Sequence, residues 1–313
     1  MNGPPRPPRS AGGGQAPGDR RPPPGPRGPR QDGPRRGLPP KPPLRVHTTT
    51  LWEYPSQDYE GFTRAKGAPV AADAPHSEPA PDEAERGVDG GYDPATQGAT
   101  PSWVIWQLLT RYTRPNDLVI DPMAGAGTTL DVARHLGRRS LGYDLTPRRP
   151  DVFRADARKL PLEDGKADFI FIDPPYSTHL EYSTDPRDIG GLDAAGENGG
   201  RAYYAAMEQV FTEAHRVLRD RRYLGVYASD SWRKRKGGEP GSGAGVFMPI
   251  GFEFFAILRA LFKPVDVVCV VRHNAKLKRG NWHRAAEQGN FFLRGFNYLL
   301  IMKKEDAGTR DQR

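Results

Sequence analysis

Asp117-Leu118-Val119-Ile120-Asp121-Pro122-Met123-Ala124-Gly125-Ala126-Gly127-Thr128-Thr129 is the stretch that decides the fold of this chain. Its first five residues form a short apolar run bounded by acids, which reads as a buried strand. Pro122 to Gly127 supply a turn, and Thr128 to Leu136 read as a helix closed by Gly137. A strand that enters a helix through Gly-x-Gly lets the backbone approach a ligand closely. The same spacing also makes an ordinary tight turn, so the neighbouring elements must decide between the two.

Those elements alternate. Upstream, Trp103 to Leu109 predict a helix, with Ser102 or Thr100 as its cap. Downstream, strands are expected at 140–144, 152–156, 167–173, 223–228, 265–271 and 298–302, with helices at 203–218 and 252–262. Strands alternating with helices imply an α/β, doubly wound, mostly parallel sheet of seven strands. The last two strands follow one another without a strong helix between them, which predicts an antiparallel final strand.

Ligands of such sheets sit at the carboxyl ends of the strands. Asp144 ends the second strand at the distance where an acid meets ribose hydroxyls. A dinucleotide loop would carry a third glycine where Leu130 stands, and no Gly-Lys-Ser/Thr follows to make a P-loop. An adenosyl ligand without phosphates remains. Asp156, ending the third strand, is either a partner for an adenine amino group or a solvated loop acid. Asp173-Pro174-Pro175-Tyr176 directly follows a strongly apolar strand. Two prolines fix the backbone and remove two donors, which leaves nearby carbonyls as acceptors. A carboxylate and the Pro174 carbonyl can each accept one N–H of an exocyclic amine while Tyr176 stacks on the ring. The plain alternative is a rigid loop capped by an acid.

Composition bounds the rest. Residues 1–45 hold 15 Pro, 9 Gly and 9 Arg and read as a disordered tail of net charge +8. Residues 46–66 include aromatics that suggest a short docking segment, and residues 67–99 read as a flexible acidic linker. The remaining folded stretch, 100–304, suits one domain, and 305–313 read as a disordered end. Residues 101–313 carry a net +7, which fits either polyanion binding or a soluble basic surface. The single cysteine, Cys269, permits no disulfide within the chain and no cysteine-based zinc site, and no metal is expected. No signal core or spanning run is read, so a cytoplasmic location without membrane contact is expected.

Together the two constellations resemble the S-adenosylmethionine-dependent amino-methyltransferases of nucleic acids. That family pairs an Asp-Pro-Phe-x-Gly-x-Gly-Thr cofactor loop with an [Asp/Asn/Ser]-Pro-Pro-[Tyr/Phe/Trp] catalytic loop on a seven-stranded class I methyltransferase fold. The resemblance runs from Thr100 to Lys304, with Met123 standing where the family usually has Phe. It implies that Asp121, Pro122, Met123, Gly125, Gly127 and Thr128 line S-adenosylmethionine on its methionine and ribose side. Asp144 would meet its ribose and Asp156 its adenine. Pro101 and Ser102 would belong to the segment closing over the methionine end. Asp173, Pro174, Pro175 and Tyr176 would be the catalytic loop that holds the target base. Thr48 to Tyr59 and Phe291 to Tyr298 also look like a group of bacterial DNA methyltransferases with this order of motifs.

The resemblance implies DNA as the partner, with adenine N6 favoured over cytosine N4 because Asp rather than Ser occupies position 173. Two basic stretches are candidates for DNA contact. One is Arg233, Lys234, Arg235 and Lys236; the other runs from Arg272 to Arg284 and includes Asn274, Lys276, Lys278 and Arg279. Solvated basic loops are the alternative. An RNA guanine-N2 methyltransferase shares the Asp-Pro-Pro-Tyr loop, and a non-catalytic nucleic-acid-binding relative is the third reading.

Overall fold

The computed structural model describes residues 41–65, 100–177, 183–233, 246–273 and 280–305. The tail 1–40, the linker 66–99 and the terminus 306–313 therefore lie outside the described residues.

The quoted stretch folds as read. Leu118–Asp121 form strand β2 and Thr128–His135 form helix α2. Gly137 follows the helix at φ +72°, a left-handed conformation that costs glycine little, and the Arg138 amide turns back onto the Ala133 carbonyl. The main sheet also contains β3 (Arg139–Asp144), β4 (Val152–Arg154), β5 (Ala167–Ile172), β6 (Leu218–Ala228), β9 (Lys263–Val271) and β10 (Phe296–Lys303). With β1 (Leu51–Trp52) at one edge, its spatial order is β1-β9-β10-β6-β5-β2-β3-β4. The neighbouring pairs from β4 to β6 are parallel, and β10 runs antiparallel to both β6 and β9. This is the doubly wound class I arrangement with its antiparallel last strand.

Helices cover both faces. Ile170 and Ile172 of β5 pack with Met207 and Phe211 of α3 (Glu197–Val217) and Phe254 of α4 (Ile250–Leu261). Phe169 and Phe171 point to the other face, with Trp103 and Leu108 of α1 (Ser102–Tyr112) and Val132 of α2. An apolar residue at every β5 position is what a strand covered on both sides requires.

Several expectations change. The aromatic segment does dock, and it becomes part of the sheet. Leu51–Trp52 form β1, paired parallel to Cys269–Val270, and Trp52, Tyr54 and Tyr59 are buried beside Trp103. Residues 41–45, which composition placed in the tail, make contacts: the Lys41 ammonium donates to the Asp58 carbonyl and Gln107 donates to the Arg45 carbonyl. Helix α1 starts after Pro101, with neither Thr100 nor Ser102 capping it by a side chain. Both hydroxyls are used elsewhere: Thr100 donates to Asp173 and Ser102 to the Gln57 carbonyl. Strand β6 begins at Leu218, five residues early. A small hairpin, β7 (Ser231–Arg233) with β8 (Val246–Met248), follows it outside the main sheet. Part of the basic stretch expected as a loop is helical: α5 spans Gly280–Gln288. Its apolar residues are only Trp282, Ala285 and Ala286, a stripe too short to mark a helix in the sequence.

Candidate active site

The chain runs from β2 outward through β3 to β4, then crosses back to β5 and on to β6. The sheet therefore reverses its winding between β2 and β5, and a crevice opens at the carboxyl ends of those two strands. Asp121 ends β2 and Asp173 follows β5, so the two motifs meet at that point.

Asp121 is 4% exposed and accepts the Met123 amide at 3.0 Å. Burial pushes its carboxyl up to about 7, against hydrogen bonds from Thr129 and Met123, and the charges of Asp173 and Asp144 push it further. Burial likewise raises Asp173 to about 6, opposed by hydrogen bonds from Thr100 and Tyr176. Three carboxylates thus share one crevice, and a cation there would lower the electrostatic cost.

Asp144 shapes the glycine loop itself. Its Oδ2 accepts the Gly125 amide at 3.0 Å and its Oδ1 the Thr146 amide at 2.8 Å. Gly125 adopts φ +47°, and a Cβ there would meet no protein atom within 4 Å, so its open side is available to a ligand. Gly127, at φ +78°, behaves differently: a Cβ would fall 2.5 Å from the Arg149 Nη1. Its missing side chain makes room for Arg149 rather than for a cofactor. Thr128 is also occupied within the chain, since Arg64 donates to its hydroxyl.

Arg149 was not legible as a site residue. Its guanidinium is buried, pairs with Asp131 at 2.9 Å and Asp151 at 2.7 Å, and donates to the Ala126 carbonyl at 3.0 Å. Burial alone would lower its pKa, but the two carboxylates outweigh that and hold it above the ordinary value. Arg149 therefore pins the glycine loop from behind. Gly127→Ala is expected to destabilise the fold by about 1–3 kcal/mol through backbone strain and displacement of this buried guanidinium. Gly125→Ala should lower the melting temperature less but weaken cofactor binding more; thermal melts and calorimetry on both variants check the contrast.

Asp156 ends in a different setting. Arg158 donates to both of its oxygens, at 2.9 Å and 2.7 Å. Burial would raise the Asp156 carboxyl, but those bonds hold it below its usual value. An adenine amino group would have to share it with Arg158.

The Asp173-Pro174-Pro175-Tyr176 loop is tightly held. The Tyr176 hydroxyl donates to Asp173 Oδ1 at 2.5 Å and lies 3.3 Å from the Tyr227 carbonyl. Thr100, a candidate helix cap in the sequence, donates to the other Asp173 oxygen. Tyr203 donates to the Pro175 carbonyl at 2.7 Å, whereas no donor among the described residues reaches the Pro174 carbonyl. Ser177 follows at φ +62° and is buried, its hydroxyl accepting the Ala194 amide at 2.8 Å. Pro101, Ser102 and Pro122 frame this region; the Ser102 amide is held by the Gln57 carbonyl at 3.0 Å.

Among the basic candidates, Arg272 reaches the site side of the sheet, donating to Ser229 Oγ at 3.2 Å. Arg233 lies in β7, and nothing is described of its side chain. Lys234, Arg235, Lys236, Asn274, Lys276, Lys278 and Arg279 lie outside the described residues. Among the described residues, no helix is long and apolar enough to cross a membrane.

Comparison with known proteins places this geometry. Residues 43–153 match the model of a DNA methylase family, the N6/N4 methyltransferases. The Type II methyltransferase M2.LlaDCHI of Lactococcus lactis subsp. cremoris is 39% identical over 44 residues, 14% of this chain and 16% of that protein. The Type II methyltransferase M.HinfI of Haemophilus influenzae is 33% identical over 60 residues, 19% of this chain and 17% of that protein. The matched regions thus span less than a fifth of the length of either relative. Among solved structures, TrmN from Thermus thermophilus is 15% identical, with 67% of this chain and 51% of that chain covered at a TM-score of 0.41. The family match begins at residue 43 and so takes in the aromatic segment that completes the sheet as well as the glycine loop and Asp144. The likeness to the N6/N4 methyltransferases thus covers residues 43–153, about a third of the chain, and short stretches of the two Type II methyltransferases.

Proposed function

We propose that this protein transfers a methyl group from S-adenosylmethionine to the exocyclic amino group of a DNA base, adenine N6 in preference to cytosine N4. The observation that carries the reading is the Asp173-Pro174-Pro175-Tyr176 loop facing the Asp121 glycine loop across the winding reversal. The residues fit the cofactor: three carboxylates favour a positively charged ligand, and Gly125 leaves a side of the loop open. When bound, S-adenosylmethionine would supply an electrophilic methyl group and a sulfonium charge. Asp121 would hold its methionine end and Asp144 its ribose, while continuing to order the Gly125 amide.

The base is the concern of the second loop. Asp173 and the Pro174 carbonyl would each accept one N–H of the amine, drawing electron density onto nitrogen and orienting its lone pair. Thr100 and Tyr176 each occupy one lone pair of a different Asp173 oxygen, which leaves acceptor capacity for the amine. A base in duplex DNA must leave the stack to reach this crevice. Arg272, at the same strand ends, would contact phosphate or a base edge.

Purified protein, labelled cofactor and either plasmid DNA or transfer RNA, followed by digestion to nucleosides, test the reading. Label in N6-methyladenine is expected. Label in N4-methylcytosine would correct the base, and label confined to N2-methylguanosine from RNA would overturn the substrate class. Removing residues 1–40, which carry a net charge of +6, should leave methyl transfer intact at saturating DNA. It should weaken DNA affinity most at low salt, because cationic contacts act by counterion release.

A further inference from the structure

The β7–β8 hairpin begins three residues beyond the end of β6. Each of its strands is only three residues long, and it makes no ladder with the main sheet. Two-stranded ribbons of this size are marginal alone, so its side chains must do the holding. The central pair is Trp232 opposite Phe247, with ring centroids 5.7 Å apart. A pair that served only to hold the ribbon would be expected to turn inward. Instead Trp232 is 44% and Phe247 41% exposed.

Arg294, from the segment leading into β10, lies over both rings, its guanidinium carbon 4.8 Å from the Phe247 centroid and 5.9 Å from that of Trp232. Among the described residues it has no carboxylate partner, and its Nε is buried without an acceptor. A cation held on aromatic faces, with hydrogen-bond donors to spare, suits a planar ring attached to a phosphate. Its place in the fold points the same way. Trp232 is five residues from Tyr227, whose carbonyl meets the Tyr176 hydroxyl. Five residues span at most about 17 Å, which keeps Trp232 within a few nucleotides of the target base.

We propose that Trp232, Phe247 and Arg294 form a stacking platform for an unstacked DNA base near the target, with Arg294 also contacting the adjoining phosphate. The inference rests on the DNA-methylating reading and adds residues that neither motif contains. Flipping one nucleotide out leaves its neighbours with lost stacking, and an exposed aromatic pair beside the crevice would restore part of it. Aromatic stacking tolerates any base, so the platform would add affinity without setting the recognition sequence.

Full-length protein is titrated into a fluorescent mixed-sequence single-stranded DNA, and methyl transfer to plasmid DNA is measured separately. Trp232→Leu keeps an apolar side chain for the hairpin but removes the π face. It should weaken single-strand binding about fivefold or more, Trp232→Phe should recover most of the loss, and cofactor affinity should stay unchanged. Arg294→Gln should reduce the slope of log affinity against log salt by about 0.7. Wild-type affinity in Trp232→Leu, or absence of single-strand binding by the wild type, would overturn the platform. If the wild type binds in the expected pattern but methylates no DNA, the platform stands and the methylation reading fails.

Discussion

Asp173→Ala should lower the rate of methyl transfer a hundredfold or more while leaving cofactor affinity within a few-fold of the wild type. In the proposed reaction Asp173, held by Thr100 and Tyr176, would accept a hydrogen bond from the reacting amine. A charged hydrogen bond strengthened in the transition state is worth about 3 kcal/mol, and each 1.4 kcal/mol is tenfold in rate. The structure adds a second, finer expectation. The Tyr176 hydroxyl donates to Asp173 and helps hold its carboxyl down against burial. Tyr176→Phe preserves the ring for stacking but removes that bond. The acid limb of the rate profile, set near pH 6 by Asp173, should then move to higher pH, with a smaller loss at pH 8 than Asp173→Ala shows. Single-turnover rates with labelled cofactor across pH 5–9 measure both effects. Activity of Asp173→Ala near wild type would remove this residue from the chemistry.

The second large effect is expected at Asp121. Asp121→Asn should weaken cofactor binding tenfold or more and at the same time raise the thermal stability of the cofactor-free protein at pH 8. Burial and two neighbouring carboxylates lift the Asp121 carboxyl to about 7, and burial lifts Asp173 to about 6. A carboxyl whose folded value exceeds its unfolded value binds its proton more tightly in the folded state. The associated stability is complete below about pH 4 and is lost as pH rises through 6 and 7. The cofactor-free protein should therefore melt higher at pH 6 than at pH 8. Asparagine at 121 carries no charge to desolvate, so it should reduce that slope and recover on the order of 1–3 kcal/mol at pH 8, a shift of several degrees. A site that is unstable when empty and negatively charged is primed for a cationic ligand, which is the usual exchange of stability for function. Calorimetric melts at the two pH values, with and without S-adenosylmethionine, decide it. An Asp121→Asn protein that binds cofactor normally would place Asp121 outside the site.

What could be read from the chain alone was whatever is local. The run Leu118 to Asp121 followed by Gly125 and Gly127 is a strand, a turn and a helix within eighteen residues, and each signal lies inside its own window. The same holds for the apolar β5 strand and the two prolines after it, because a buried strand and a donor-free loop are written in consecutive residues. The alternation of such units then dictated the doubly wound sheet. The tertiary structure decided whatever joins residues distant in sequence. Thr100 meets Asp173 across seventy-three positions, and Arg64 meets Thr128 across sixty-four. Arg149 carries no signal within its own stretch of sequence; the fold buries it against Asp131, in the space that Gly127 leaves open. The two-residue strand Leu51–Trp52 carries no period of its own, and its place beside Cys269 follows from burial of Trp52, Tyr54 and Tyr59 against α1. Trp232 and Phe247 face one another only through a hairpin register, and Arg294 joins them from the segment before β10. Periodicity reports which face of an element is apolar; only packing determines which distant side chain that face will meet.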